Sequence, residues 1–290
     1  MKKLRSVLIT NLIGLVVLFL CLFCYQSIPD LMTSKMSVSH REIQIHEKKL
    51  KEKLALCSTE SLKKMQNAGK EIQEWNRLLS KTGSHIVAEV LKGQGVFWEM
   101  AHYPLSDVFD QETYSQYYYH AHRGGEHGHF HLFLRQGGMG EDILPLFYDK
   151  RNATLNDIDT FAHIIAISMD DEGYPIGLFT TNRWVTGEDW YTAEDIMKMV
   201  DRFHVEHTHP SYVVNRWLNA MLVLFKPQIL DLIGKRDHTL MQYREGIPLK
   251  EILEDHNLDV TSETQISLDV QMQLIQELLD ERGQSPPFNF

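Results

Sequence analysis

Polar and apolar positions divide the chain into blocks of different period. Ser6 to Tyr25 carries no charged residue and is mostly Leu, Val, Ile and Phe. As a helix rising about 1.5 Å per residue, such a run spans the ~30 Å hydrocarbon core of a bilayer. From Ser39 to Leu79 apolar residues recur at helical spacing, at Ile43, Leu50, Leu54, Leu62, Met65, Ile72, Trp75 and Leu79, among many Lys and Glu. Ser58-Thr59 and Gly69 are expected to interrupt the run. The spacing does not sustain heptads, which predicts helices packed on the body rather than a coiled-coil stalk. A short helix over 85–91 should stop at Gly93-Gln94-Gly95.

The period then changes to two. His120 and His122 alternate, as do His127, His129 and His131, and Arg123-Gly124-Gly125-Glu126 between them carries turn chemistry. With a four-residue loop, His122 pairs with His127, His120 with His129 and Tyr118 with His131, so all five imidazoles share one face. A slip of one residue would send His120 and His122 to the opposite side. Phe130, Leu132 and Leu134 then fill the other face. Phe161 to Ser168 and Ile176 to Trp184 read as a second hairpin turning at 170–175. Thr192 caps a helix to about Phe203 with Asp195 three residues on. Helices follow over 212–225, from Pro227 and from Pro248, then a short strand within 258–266 and an amphipathic helix over 267–282.

These elements predict an α+β fold: a small antiparallel sheet of two hairpins, flanked and covered by helices and preceded by one transmembrane helix. A cupin-like β-barrel with added helices is the alternative, and it needs more strands than the pattern supplies. The organisation expected is a membrane anchor and linker over 1–35, a helical segment over 36–92 and a histidine-rich α+β domain over 93–290.

Charge refines this picture. Lys2, Lys3 and Arg5 precede the apolar run and only Lys35 follows closely, which puts the amino terminus in the cytoplasm and the body outside. The run ends without the small-residue pair of a cleaved signal peptide. Translation from Met32 or Met36 would instead give a cytoplasmic protein without the anchor. Residues 1–35 hold four basic residues and one acidic residue, so the remainder carries 25 basic against 38 acidic. So acidic a body argues against nucleic acid as a partner. Three cysteines, two of them in the apolar run, offer no disulfide framework.

Five of the fifteen histidines fall within Tyr117 to His131. Neutral imidazoles converging beside a carboxylate suit a divalent transition metal, Zn, Fe, Mn or Ni. The expected ligands are His120, His122, His127 and His129. Glu126 serves as a further ligand or a catalytic general base, and His131, opposite Tyr118, stands outside the ligand set. A hydrogen-bonded histidine and tyrosine face without an ion is the structural alternative. Asn182 and Arg183, at a strand end before a Thr-Gly turn, offer donors for a small anionic ligand, unless Arg183 pairs with Glu188 to pin the turn. His102, Asp107 and Asp110 read individually as ordinary turn and half-buried residues. The function implied is a metal-dependent hydrolase or oxygenase, or a non-enzymatic metal- or ligand-binding module.

His120-x-His122 with Glu126 resembles the first metal motif of the cupins, without its expected glycines. His127-x-His129-x-His131 resembles the histidine-triad nucleotide hydrolases, whose motif closes the domain, whereas a long carboxyl-terminal region follows here. The broader resemblance is to a bacterial family of unknown function. It runs from about Val90 and is carried by His102-Tyr103-Pro104, Tyr118-Tyr119-His120-Ala121-His122-Arg123, Glu126 to His131, and Asn182 to Glu188. It implies no activity.

Overall fold

The computed structural model describes residues 47–147, 160–243 and 246–284. The chain divides after Ala55 into two compact units. The first is represented by helix 47–55, and the rest concerns the second. The apolar run over 6–25 lies outside the described residues, none of whose helices is long and apolar enough to cross a membrane.

Six strands form one antiparallel meander in the order β1 to β6: β1 Tyr103–Phe109, β2 Ser115–His120, β3 Gly128–Arg135, β4 Phe161–Met169, β5 Pro175–Thr181 and β6 Val260–Gln265. The helices are α1 Thr59–Ser80, α2 Ile86–Leu91, α3 Arg183–Thr186, α4 Ala193–Val200, α5 Tyr212–Leu224, α6 Lys226–Tyr243, α7 Leu249–Leu253 and α8 Leu268–Gln284. The α+β expectation holds, and the sheet is larger than two hairpins. β1 had no alternating pattern to announce it, because Pro104 and the exposed Leu105 break the period. The 258–266 stretch supplies β6, which pairs with β5. The sheet is open, with β1 and β6 as its edges, so the barrel alternative is not what the chain forms.

Register divides the sheet into two unlike faces. Ser115 to His120 runs opposite Leu134 to His129, with Tyr118 against His131 and His120 against His129. Tyr117, Tyr119, Phe130, Leu132, Leu134, Ile167 and Leu178 therefore share one face, buried to within 1%. Gln116, Tyr118, His120, His129, His131 and Phe133 share the other. Opposite Phe133 the pairing with β4 shifts, so that His163 rather than Ile164 stands across from it. This bulge turns a histidine toward the others.

Helices cover the apolar face. Trp217 of α5 lies 6.1 Å from Phe130, centroid to centroid. Asn215 ties the same helix down: its Oδ1 accepts from the Tyr117 hydroxyl at 2.5 Å, and its Nδ2 donates to the carbonyls of His207 and His209 at 2.8 and 2.9 Å. Helix α1 begins at Ser58, whose hydroxyl accepts from Ser61 N at 3.0 Å. Gly69 does not interrupt it. A Cβ there would lie 2.0 Å from Met272 Sδ, so the glycine lets α8 approach closely. Asp110, 4% exposed, joins the β1–β2 turn to the segment before α5 by accepting from the backbone N–H of Glu112, Thr113 and Glu206. Burial opposes its charge, and these donors outweigh burial, so its pKa falls below the usual carboxylate value.

Replacing Asn215 by Ala leaves the buried Tyr117 hydroxyl and two carbonyls without partners, whereas Tyr117→Phe removes a single donor. Urea denaturation should show Asn215→Ala costing roughly 2–4 kcal/mol and Tyr117→Phe about 1–2 kcal/mol. Equal costs would mean that the amide does not hold the 207–209 segment.

Candidate metal centre

Three histidines meet on the polar face. His120 at the end of β2 and His129 and His131 on β3 each offer a ring nitrogen, and these atoms lie within 4.8 Å of one another. The three residues are 7%, 1% and 1% exposed. His120 Nε2 lies 2.8 Å from His129 Nε2. His131 Nδ1 lies 3.0 Å from His163 Nε2, and His163 Nδ1 lies 3.3 Å from Thr181 Oγ1. Glu126 bonds the remaining nitrogen of His129, Nδ1.

The loop accounts for the departures from expectation. Strands β2 and β3 stop at His120 and start at Gly128, so the connection is seven residues and strand alternation no longer governs 121–127. A Cβ on Gly128 would lie 2.6 Å from the His120 carbonyl oxygen and from the Tyr119 hydroxyl, so the close approach that opens β3 requires glycine. His127 falls on the far side. Its Nδ1 lies 2.6 Å from the Tyr119 hydroxyl and its ring lies 5.8 Å from that of Phe97, so it does not join the group. His122 is exposed at the margin, with ring centroids 4.7 Å from His120 and 5.1 Å from His129. His131, expected outside the ligand set, is within the group although it does pair with Tyr118 in register. Glu126 faces His129 and so acts on a ring rather than on the space between rings.

Asn182 and Arg183 are not at a rim. Strand β5 ends at Thr181, and Asn182 caps α3, accepting from Arg183 N at 2.9 Å and donating to Ile252 O at 2.8 Å. Arg183 is 1% exposed, pairs with Glu254 and lies 5.0 Å from the Phe147 ring centroid. Both side chains are buried rather than presented at a rim, and the charge of Arg183 acts on Glu188. Glu188 accepts from His163 N at 2.5 Å and from Thr186 Oγ1 at 3.3 Å.

Burial governs the protonation of these groups. It pushes His120 and His163 down to about 3, helped by neighbouring His129, His122 and His102 for His120 and by Arg236 for His163. His131 is held well below its ordinary value, first by burial and then by His163 and His129. Neutral rings keep their lone pairs. Glu188 moves the other way: burial raises it to about 8 against the pull of Arg236 and the His163 N–H.

Sequence reasoning passed over His163 and Thr181. A lone histidine inside the apolar run Phe161 to Ser168 was the available signal for His163. The bulge that aims it leaves no trace in the residue pattern.

Residues 66–266 match the family described as a domain of unknown function (DUF6969), and the chain belongs to that family. No curated protein and no solved structure matches it.

Two opposite pH dependences follow for metal-free protein. His120 and His163 titrate near 6.5 when unfolded and near 3 when folded, so their contribution is complete above about 6.5 and declines below it. Glu188 titrates near 4.5 unfolded and about 8 folded, so its contribution is complete below about 4.5 and is lost as pH rises toward 8. Between pH 6.5 and 8 only the carboxyl acts among these three groups. Urea midpoints across that window should fall with rising pH in wild type and fall less in Glu188→Gln; parallel slopes would show that Glu188 is ionised throughout.

Proposed function

We propose that the His120, His129 and His131 group binds a divalent transition metal and that the protein is a metal-dependent enzyme of hydrolytic type. One observation carries this reading: His131 Nε2 is buried without a hydrogen-bond partner. An orphaned nitrogen costs about 1–3 kcal/mol, and an ion between the rings would supply its partner. The surrounding bonds support the same assignment. Glu126 accepts a hydrogen bond from Nδ1–H of His129 and leaves Nε2 as a lone pair, the carboxylate–histidine arrangement that orients metal ligands. His163 does the same for His131 when its Nε2 accepts from His131 Nδ1–H and its own Nδ1–H donates to Thr181 Oγ1.

The donor set favours one metal over the others. Three nitrogens with Glu126 turned to the far side of His129 do not make the two-histidine, one-carboxylate face of non-haem iron oxygenases. They suit Zn, whose nitrogen ligands stand at ~2.0–2.1 Å and hence about 3.3 Å apart around a tetrahedral ion. His120 and His129, 2.8 Å apart, would separate slightly, and the widest pair of nitrogens, within 4.8 Å, would close. When bound, such an ion polarises a carbonyl or lowers the pKa of water.

The proximity of His122 favours a second reading, a closed set of four histidines with a structural or transport role. The anchor reading of 6–25 belongs to the proposal too: full-length protein should fractionate with membranes, and a native amino terminus at Met32 or Met36 would sink that part.

Protein purified without a histidine tag or chelator should carry close to one equivalent of Zn by elemental analysis. His129→Ala and His131→Ala should each abolish it, His127→Ala should retain it, and Glu126→Gln should weaken binding about 10–100-fold. A metal-free protein whose His131→Ala variant is merely less stable would leave a structural histidine face. Retention of the metal by His122→Ala would separate the open set from the closed one.

A further inference from the structure

Beside the three-histidine group runs a chain of hydrogen bonds whose polarity can be read from one end. Arg135 only donates, and its Nε lies 2.6 Å from Gln116 Oε1. That contact orients the amide, so Gln116 Nε2 donates to Asp107 Oδ2 at 2.7 Å. The other carboxylate oxygen, Asp107 Oδ1, lies 2.9 Å from His102 Nδ1. A carboxylate accepts, so in the neutral ring the proton sits on Nδ1 and the lone pair on His102 Nε2. The tautomer of His102 is thus set by the Asp107 carboxylate, which Gln116 and, behind it, Arg135 hold in place.

Its location gives the tautomer a use. The His102 ring stacks on Tyr118 at 3.6 Å between centroids and stands edge-on to His120 at 5.6 Å. The His102 side chain is 41% exposed, whereas His120 as a residue is 7% exposed, so His102 borders the solvent side of the buried group. Asp107 reaches it from a left-handed backbone conformation, φ 54°, where the pairing of β1 with β2 shifts between Tyr103 and Val108. Such a conformation is strained for a residue with a side chain, less so for Asp. A surface histidine with no task requires neither this conformation nor an oriented chain behind it.

We infer that the ligand held over the three-histidine group is a protic oxygen species, water or a hydroxyl-bearing molecule, and that His102 Nε2 accepts its hydrogen bond. This rests on the metal reading above and gives that site its ligand class. A bare anion meets a lone pair at His102 and gains nothing from it.

Full-length protein loaded with Co²⁺ provides the test, with visible absorption reporting the binding of two probes: acetohydroxamate, which donates hydrogen bonds, and azide, which does not. His102→Ala should weaken acetohydroxamate about tenfold, the loss of one hydrogen bond, and leave azide unchanged. Asp107→Asn presents an amide donor to Nδ1 and converts Nε2 to an N–H, so acetohydroxamate should weaken and azide tighten. Opposite shifts for the two probes do not arise from general disorder of the site. An intact cobalt spectrum with both probes unmoved, both weakened alike or neither bound in wild type overturns the inference and leaves the metal reading standing. Loss of cobalt from His102→Ala overturns it as well, by making His102 a ligand. Failure of wild type to bind cobalt overturns the metal reading and the inference together.

Discussion

The pairing of His120 with His129 across β2 and β3 decides which side chains meet, because side chains alternate along a strand and cross-strand partners share a face. One pair in register puts His131 beside Tyr118 and Gln116 opposite Phe133, and sends Tyr117, Tyr119, Phe130 and Leu132 to the other side. The sheet has an apolar face that holds the helices and a face rich in imidazoles. Both are buried, so the register is strongly specified. Slipping it by one residue would drive His129 and His131 into Trp217 and α5 and expose Phe130 and Leu132 to the polar groups they now avoid.

Burial of four imidazoles then sets their protonation. In water a histidine is half charged near pH 6.5; here desolvation holds His120, His131 and His163 neutral, and each neutral ring has one donor and one acceptor to satisfy. Glu126, Thr181 and the neighbouring rings meet most of these needs. His131 Nε2 is left over. That stranded nitrogen is the observation on which the metal proposal rests.

Around that group the polarity of hydrogen bonds is fixed by residues at its rim. Glu126 acts on His129, and Asp107, braced by Gln116 and Arg135, acts on His102. Both arrangements use a carboxylate, whose role as acceptor cannot reverse, to settle a ring that has two tautomers.

Legible in the sequence were the α+β class, the stretch Tyr117 to His131 that carries the candidate histidine group, and two of the three expected cross-strand pairs, His120 with His129 and Tyr118 with His131. Period-two alternation and the turn residues between the runs are local properties, and local physics is legible in one dimension. It also placed the α4 cap at Thr192, whose hydroxyl accepts from Asp195 N at 3.1 Å. Tertiary structure decided the rest. The loop between β2 and β3 proved to be seven residues, so His127 left the group for Tyr119, and no count of alternating positions could show where pairing stops. His163 joined through a bulge, and Asp107 found His102 through a left-handed residue at a register shift, both of which depend on how neighbouring strands fit. Arg183 was drawn inward because Glu254, 71 residues further along, lies beside it only once β6 and α7 have packed. Partners so distant in sequence are set by packing, and packing is what a linear pattern leaves unstated.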